Sequence, residues 1–161
     1  MSTHIRWMIR RDFADVQRIE DASFTQPWTE KELLACLRQR NAVGMAAEVD
    51  EQVVAYMVYA VHAKELELLN LAVAPEFRRA GIGRQMIEKL RSKLSYHRRR
   101  EIVATVRETN LAAQLFFRSQ GFLAESVARG HYEDTGEDGY VMAYELFENA
   151  RSNRRNAEAR Q

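Results

Sequence analysis

The sequence predicts a mixed α/β fold in which a mostly antiparallel central sheet is flanked by about four helices. The predicted elements follow the order β-α-α-β-β-β-α-β-α-β-β, whereas a doubly wound nucleotide-binding sheet alternates strand and helix throughout. Two of the strands are joined by a short polar turn, which is typical of an antiparallel hairpin. A chain of 161 residues with 46% hydrophobic residues suits one domain, expected at residues 1–148 and followed by a polar, disordered tail at 149–161.

The first strand and the first helix follow from a change in hydrophobic spacing. Residues 3–10 alternate between polar and apolar side chains, as a half-buried strand does. Asp12 is then expected to cap a helix, because a short acidic side chain accepts the free amides of a first turn. The apolar side chains on one face of this helix are Phe13, Val16 and Ile19.

A second helix is predicted after the break at residues 25–28. Thr29 supplies a capping hydroxyl, and Glu32 stands three positions later, where its carboxylate completes a capping box. This helix is expected to end near Arg40. Its apolar side consists of Leu33, Leu34 and Leu37.

Three strands follow. Residues 43–49 and 53–61 are apolar strand patterns separated by the polar turn at 50–52, so they predict a hairpin. Residues 66–74 form the next strand. It runs directly into the most informative segment of the chain.

That segment is a basic, glycine-spaced turn at residues 75–83, which opens the third helix. Gly81 and Gly83 permit close approach of the backbone to a ligand, while the free amides and the helix dipole favour an anion. Met86 stands where a dinucleotide fingerprint has its third glycine, and no Gly-Lys-Ser/Thr follows as in a P-loop. The turn therefore predicts a pyrophosphate site of another kind.

The third helix is expected to run from about Gly83 toward His97, because apolar residues recur there at helical spacing. These residues are Ile82, Met86, Ile87, Leu90 and Leu94. The three arginines at 98–100 are interpreted as its solvated end rather than as a nucleic-acid contact.

The remaining elements are a strand, a helix and two further strands. The strand covers residues 102–106, and the helix covers 110–120 and is closed by Gly121. The last two strands are expected at 122–129 and 140–147.

Composition excludes several classes of protein. The formal net charge is +1, and the chain before residue 149 holds 20 basic and 22 acidic residues, so no general nucleic-acid surface is expected. Cys36 is the sole cysteine, which excludes an intrachain disulfide and a thiolate metal cluster, and no metal is expected. Neither a signal peptide nor a long apolar run is present. We expect a cytoplasmic protein that does not bind membranes.

Two segments carry a resemblance to a known family. Residues 78–83 resemble the Arg/Gln-x-x-Gly-x-Gly/Ala signature of the GNAT acetyltransferases, and residues 110–122 resemble their Asn-x-x-Ala-x-x-x-Tyr-x-x-x-Gly-Phe segment. The resemblance implies the GNAT fold and acetyl-CoA as the acetyl donor. Asn110 would contact the pantetheine arm, and it also suits a helix cap. The cofactor-binding residues implied in this way are Leu71, Val73, Arg78, Arg79, Ala80, Gly81, Ile82, Gly83, Arg84, Asn110 and Phe117.

Within the GNATs, residues 5–147 are most similar to the RimI-type ribosomal protein alanine N-acetyltransferases. Residues 24–30 resemble the family's Phe-Pro-Trp-Ser-Glu loop, and residues 129–142 resemble its Tyr-Tyr-x-x-Gly-Glu-Asp-Ala-x-x-Met segment. In the family these two segments line the peptide slot from opposite sides. The substrate-binding residues that this implies are Phe24, Trp28, Asn70 and Tyr132. Trp28 and Tyr132 would otherwise be core or interface aromatics.

The sequence departs from the family at the expected acid and base. Thr105 stands where a glutamate base is expected, and Phe117, which has no proton to donate, stands where a tyrosine acid is expected. Glu67 is the candidate base, at a position where histone-acetylating GNATs have a glutamate; a surface carboxylate is the equal alternative. Tyr132 is the candidate acid or amine-positioning group, with His131 a weaker choice. The Val73 backbone amide would polarise the thioester carbonyl.

The leading functional hypothesis is an N-terminal protein acetyltransferase that uses acetyl-CoA by direct attack of the amine. Its partner would be a protein or peptide N-terminus, with a ribosomal protein alanine as the specific candidate. Two alternatives stay open: a GNAT that acts on a lysine side chain or a small amine, and a catalytically degenerate GNAT that binds CoA. The sequence does not indicate the oligomeric state.

Overall fold

A computed structural model describes residues 2–146, which contain seven strands and four α-helices. The strands are β1 (His4–Trp7), β2 (Ala42–Val49), β3 (Gln52–Val61), β4 (Glu65–Val73), β5 (Glu101–Arg107), β6 (Leu123–Ala128) and β7 (Gly139–Glu145). The helices are α1 (Phe13–Ser23), α2 (Glu30–Leu37), α3 (Ile82–Arg91) and α4 (Leu111–Ser119). The mixed α/β prediction, with mostly antiparallel strands and about four helices, is confirmed. The predicted tail lies outside the described residues.

The described chain divides into two compact units, one of residues 2–62 and 66–93 and the other of residues 63–65 and 94–146. In the first unit β1, β2, β3 and β4 pair in that order, each antiparallel to its neighbour. Asp50 and Glu51 join β2 to β3 with φ angles of 50° and 65°. Two consecutive left-handed residues are typical of a tight two-residue hairpin turn, so the predicted hairpin is confirmed.

Strand β4 contains a β-bulge. Val58 of β3 is paired with Asn70, but the next residue, Tyr59, is paired with Leu68. Leu69 is therefore the extra residue on β4. A bulge of this kind bends a strand and changes the direction of the side chains that follow it, and here it lies directly before the segment that the sequence assigns to cofactor binding.

Helices α1 and α2 pack on one face of the first unit's sheet. Val16 and Ile19 of α1 and Leu33 of α2 join Tyr56 and Val58 of β3 in a buried cluster. Because side chains alternate along a strand, Ala55 and Met57 point to the opposite face. Helix α3 also contacts β3 and buries its own apolar stripe, so we assign it to that opposite face. Strand β3 is thus covered on both sides.

In the second unit β7 lies between β5 and β6 and is antiparallel to both. Helix α4 begins at Asn110, whose side-chain oxygen accepts the Ala113 amide at 3.1 Å, so the predicted cap is confirmed. Gly121, at φ 90°, closes the helix as expected. Phe117 of α4 packs on Phe122, with their ring centroids 5.1 Å apart.

Two details of the first unit differ from the sequence prediction. Asp12 does not cap α1 with its side chain, because its carboxylate accepts two hydrogen bonds from Arg6 and one from the Ile9 amide. The first strand accordingly ends at Trp7, and the chain turns through Arg10–Asp12 as a 3-10 helix. In contrast, the capping box of α2 forms as predicted between Thr29 and Glu32.

Helix α3 ends at Arg91, six residues before the predicted His97. The Ser92 hydroxyl donates to the Lys89 carbonyl at 2.5 Å, and the Lys93 amide donates to the Leu90 carbonyl at 3.1 Å. These local bonds compete with helix propagation. Leu94 therefore lies outside the helix, although its spacing fits the apolar stripe.

Candidate active site

The turn that leads into α3 has the geometry of an anion site. Arg79 and Gly81 both adopt left-handed backbone angles, with φ of 62° and 79°. Ile82 begins α3, and its first intrahelical amide bond is donated by Gln85 to Gly81. The earlier amides of the first turn have no intrahelical acceptor, so they and the helix dipole favour a negative ligand. The structure thus brings the predicted phosphate residues together in one turn.

Arg78 is fixed against the end of β4. Its Nε donates to the Val73 carbonyl at 3.0 Å, and its Nη2 donates to the Ser23 hydroxyl at 3.0 Å. The side chain therefore ties the last residue of α1 to the strand that precedes the turn. The neighbouring Arg79 and Arg84 side chains are exposed, so they add positive charge that a ligand can reach.

The register of β4 determines where its amides point. The Ala74 amide donates to Val54, although Val73 is the residue paired with Ala55. Val73 is therefore at a non-hydrogen-bonded position of the ladder, and its N–H is directed away from β3. The same alternation directs the Leu71 N–H away from β3, where the side-chain oxygen of Asn70 accepts it at 3.1 Å.

The loop between α1 and α2 is anchored rather than loose. Phe24 and Trp28 are half-buried and pack against the cluster shared by α1, α2 and the sheet. The Trp28 amide donates to Glu20 at 2.9 Å, and its carbonyl accepts from the Gln17 side chain at 2.7 Å. Both predicted aromatic residues therefore have structural contacts of their own, and their role in substrate binding stays a prediction.

Glu20 is a buried carboxylate on the inner face of α1, with 3% of its surface exposed. Besides the Trp28 amide, it accepts a bond from Asn70 Nδ2 at 2.8 Å and one from the Tyr56 hydroxyl. Asn70 Nδ2 also donates to the Tyr56 oxygen at 3.0 Å. Burial raises the pKa of Glu20 to about 7, even though the hydrogen bonds from Trp28 and Asn70 lower it. We call these three side chains the Glu20 cluster.

Glu67 lies on β4 before the bulge, about two-fifths exposed. One of its carboxylate oxygens is 2.9 Å from Nε2 of His62, which is similarly exposed. Cys36 of α2 is close enough for the Glu67 charge to affect it. The pKa of the Cys36 thiol is raised, mainly by burial and further by that charge.

In the second unit Tyr132 lies in the loop between β6 and β7. Its hydroxyl donates to the Thr105 carbonyl of β5 at 3.1 Å. The guanidinium of Arg107 stacks 4.0 Å from the Tyr132 ring centre and pairs with Asp134 at 2.7 Å and Glu137 at 2.8 Å. Burial raises the pKa of the Tyr132 hydroxyl. The loop is thus held to β5 at both ends of the tyrosine side chain.

Sequence reasoning missed two of these residues. Glu20 stands four positions after Val16, so helical spacing places its carboxylate on the apolar face of α1. This spacing could have predicted that Glu20 is buried. Arg107 left no comparable signal, because its partners Asp134 and Glu137 are distant in sequence and meet it only in the folded unit.

Two absences hold for the part of the chain that the structure describes. No helix within residues 2–146 is long and apolar enough to cross a membrane. No three His, Cys, Asp or Glu side chains among these residues gather where they could hold a metal ion.

Comparisons with known proteins agree with this geometry. The model of the Acetyltransferase (GNAT) family matches residues 13–122. The [ribosomal protein bS18]-alanine N-acetyltransferase of Salmonella typhimurium is 29% identical over 134 residues, which cover 82% of this chain and 90% of that protein. The N-alpha-acetyltransferase of Sulfurisphaera tokodaii is 28% identical over 123 residues, which cover 68% of this chain and 73% of that protein.

A solved structure is also similar. The crystal structure of the ribosomal-protein-S18-alanine N-acetyltransferase from Escherichia coli superposes with a TM-score of 0.78 at 26% identity. The superposition covers 90% of this chain and 94% of that one. The fold that the two segments of the sequence implied is therefore confirmed.

Proposed function

The chain belongs to the GNAT acetyltransferase family and is an N-acetyltransferase, and from that premise we propose that it transfers the acetyl group of acetyl-CoA to the N-terminal α-amine of a protein. The observation that carries the proposal is the extent of the likeness. The relative from Salmonella typhimurium, named as a [ribosomal protein bS18]-alanine N-acetyltransferase, aligns with 82% of the chain rather than with the cofactor motif alone. A ribosomal protein with an N-terminal alanine is accordingly the specific substrate that we propose.

Acetyl-CoA is the proposed donor because the turn before α3 suits its pyrophosphate. The left-handed Arg79 and Gly81 give the loop its shape, and the first amides of α3 point outward. Arg79 and Arg84 are exposed beside them. Asn110 and Phe117 are proposed to contact the pantetheine arm, although the side chain of Asn110 caps α4 and Phe117 packs on Phe122.

The proposed reaction is a direct attack. The neutral amine forms the N–C bond, the C–S bond of the thioester breaks, the amine loses a proton and the CoA thiolate gains one. Negative charge develops on the carbonyl oxygen during attack, and a fixed N–H donor stabilises it. We assign this role to Val73, whose amide points away from β3 and whose carbonyl is held by Arg78.

Glu67 is the proposed general base. An α-amine has a pKa of about 8, so a minority is neutral at pH 7 and a modest base suffices for the rest. Glu67 is accessible to water and has His62 as a neighbour to which a proton can pass. Glu67 stands six positions before Val73 on β4, with the bulge at Leu69 between them, so its carboxylate does not adjoin the Val73 amide. We therefore propose that it accepts the amine proton through a chain of waters and not by direct contact.

Tyr132 is the proposed acid or amine-positioning group of the second unit. In the resting protein its hydroxyl donates its proton to the Thr105 carbonyl, and its oxygen can still accept a hydrogen bond from a substrate amine. Its raised pKa keeps it protonated at neutral pH. Arg107 fixes the ring, so little side-chain entropy remains to be lost when a substrate binds.

A covalent acetyl-cysteine route is disfavoured. Cys36 is the sole cysteine, and burial raises the pKa of its thiol, so little thiolate is present at neutral pH. Direct transfer needs no such nucleophile.

The proposal is tested with acetyl-CoA and a panel of short peptides that differ in their first residues. Free CoA and acetylated peptide are both measured. Equal amounts of the two, with a preference for alanine or serine at the first position, are expected. Release of CoA without acetylated peptide, or turnover only with small amines, would contradict a protein N-terminus as the acceptor.

A further inference from the structure

The carboxylate of Glu20 connects three structural elements to α1. It accepts hydrogen bonds from the Trp28 amide of the α1–α2 loop, from the Tyr56 hydroxyl of β3 and from the Asn70 side chain of β4. Each donor comes from a different part of the first unit. No other described carboxylate of that unit is as buried apart from Asp12, whose partners Arg6 and Ile9 are local.

The cost of this arrangement argues that it has a purpose beyond packing. A carboxylate in a protein interior is unfavourable unless it is fully hydrogen-bonded. The neighbours of Glu20 in the same layer, Val16 and Ile19, are aliphatic, and an aliphatic residue at position 20 would avoid that cost. Glu20 also has no cationic partner in its contacts, which are an amide, a carboxamide and a hydroxyl.

Two of the hydrogen bonds to Glu20 come from segments with different proposed tasks. Trp28 belongs to the loop proposed to receive the peptide. Asn70 is paired with Val58 immediately after the bulge, and its side-chain oxygen holds the Leu71 amide. The segment from Asn70 to Val73 then presents the amide proposed to polarise the thioester.

From this juxtaposition we infer that Glu20 is a positioning residue, which holds the peptide-receiving loop at Trp28 in a fixed place relative to the acetyl-polarising segment of β4. The inference rests on the proposed function and extends it to how amine and thioester are aligned. Loss of the Glu20 bonds would free the Trp28 loop while leaving the turn before α3 intact. Peptide recognition should therefore suffer more than acetyl-CoA binding.

The principal variant is Glu20→Gln. A carboxamide keeps the size of the side chain and one acceptor for the Trp28 amide, but its NH₂ group opposes the NH₂ of Asn70. We expect the KM for the peptide to rise by about tenfold or more, the usual effect of losing a hydrogen bond to a charged group. The KM for acetyl-CoA should change by less than about twofold, because no Glu20 contact reaches the turn before α3.

A reciprocal variant provides rescue. In the double variant Glu20→Gln with Asn70→Asp, the new NH₂ group faces a new carboxylate, and the Leu71 amide keeps its acceptor. Most of the lost peptide affinity should return. If Glu20 only fills space, the double variant should show no such recovery, because the two substitutions would then raise the peptide KM independently.

Asp12→Asn is the matched control. It removes the charge of the other buried carboxylate of the first unit, which binds Arg6 and the Ile9 amide, and it leaves the Trp28, Tyr56 and Asn70 bonds to Glu20 in place. Any general loss of stability from neutralising a buried carboxylate should appear in this variant too. The KM for the peptide should stay within about twofold of the wild-type value.

Hydrogen exchange of the Trp28 amide gives a readout that does not depend on turnover. We expect this amide to exchange at least about tenfold faster in Glu20→Gln and to regain protection in the double variant. Equal rises in the two KM values, absence of rescue, or unchanged Trp28 exchange would each overturn the inference. Wild-type protein that acetylates no peptide in the panel would instead overturn the proposed function, which is seen before any variant is made.

Discussion

At the scale of single residues, Tyr132 and Arg107 show how a loop side chain is held in one position. The hydroxyl of Tyr132 donates to the Thr105 carbonyl, and Arg107 covers the ring while pairing with Asp134 and Glu137. Both ends of the aromatic side chain are therefore restrained. The hydroxyl can be removed without disturbing the stacked ring.

Tyr132→Phe should lower kcat on the order of 10²-fold while leaving acetyl-CoA binding nearly unchanged, because only the proposed proton donor is lost. Steady-state kinetics and the shift in melting temperature caused by acetyl-CoA measure the two effects. Tyr140→Phe, on the adjoining strand β7, is the control and should retain its activity. Equal losses in turnover and binding, or no loss in either, would remove Tyr132 from the reaction.

Glu67→Gln tests the proposed base. Its kcat should fall by about 10²–10⁴, and activity should recover toward higher pH, where more of the α-amine is already neutral. Glu65→Gln changes a carboxylate two residues away on the same strand and serves as the control. If the Glu67 variant keeps the wild-type rate and pH profile, Glu67 is a surface carboxylate and another group accepts the proton.

Residues differ in how far the sequence predicts them. The Thr29 and Glu32 capping box was predictable because both partners lie within one turn. Asp12 fits the same helix-start pattern, but its carboxylate accepts two hydrogen bonds from Arg6 of β1 instead of capping the helix. Glu20 could have been found from its position on the apolar face of α1, but its partners on β3 and β4 required the folded chain.

At the scale of elements, the start of α3 was easier to predict than its end. The start is determined by glycines whose backbone requirement is local, and Gly81 adopts a left-handed angle that glycine favours. The end depends on Ser92, whose hydroxyl bonds to the backbone although the apolar spacing continues to Leu94. Hydrophobic periodicity alone does not detect such competition.

Gly83→Leu tests the start of α3 as the pyrophosphate site. Gly83 lies within the helix, so leucine is compatible with its backbone and favours the helix, while the added side chain crowds the outward amides. The rise in melting temperature that acetyl-CoA causes in the wild type should disappear, because stabilisation by mass action requires binding. Lys89→Leu, exposed later on α3, is the control and should keep the rise. An unchanged shift in Gly83→Leu would locate the pyrophosphate elsewhere.

At the scale of the whole molecule, Glu20 makes stability depend on pH. Burial raises its pKa from 4.5 to about 7, and Asp21 and Glu32 add to that shift. Between those values the folded protein binds more protons at this site than the unfolded chain, so this group lowers the free energy of unfolding as pH rises. The destabilisation caused by ionising Glu20 in the folded protein is absent below about pH 4.5 and reaches its full size above about pH 7. The groups that face its carboxylate are the Trp28 amide, the Tyr56 hydroxyl and the Asn70 carboxamide.

Glu20→Gln lacks this ionisation. The free energy of unfolding of the variant minus that of the wild type should therefore increase from pH 5 to pH 8. Urea unfolding midpoints at the two pH values measure the change, with Glu30→Gln at an exposed position as the control. A difference between variant and wild type that does not change with pH would show that Glu20 is ionised throughout.

Across the whole chain, some functional features could be predicted from the sequence and others could not. The fold and the cofactor half follow from local motifs that remain adjacent in the chain, at residues 78–83 and 110–122. The acid and base do not, because Thr105 and Phe117 depart from the family pattern and no local motif replaces them. Glu67 and Tyr132 are the replacements that the sequence suggests, and their roles stay predictions; the structure adds the hydrogen bond from the Tyr132 hydroxyl to the Thr105 carbonyl.

The most direct test of the central claim, transfer to an N-terminal α-amine, uses one peptide that offers two amines. The peptide begins with alanine and contains an internal lysine, and a matched peptide has its α-amine blocked. After incubation with acetyl-CoA, fragmentation by mass spectrometry locates the acetyl group. Acetylation of the alanine α-amine alone, with no product from the blocked peptide, is the predicted result. Acetyl on the lysine, or equal turnover of the blocked peptide, would contradict the account.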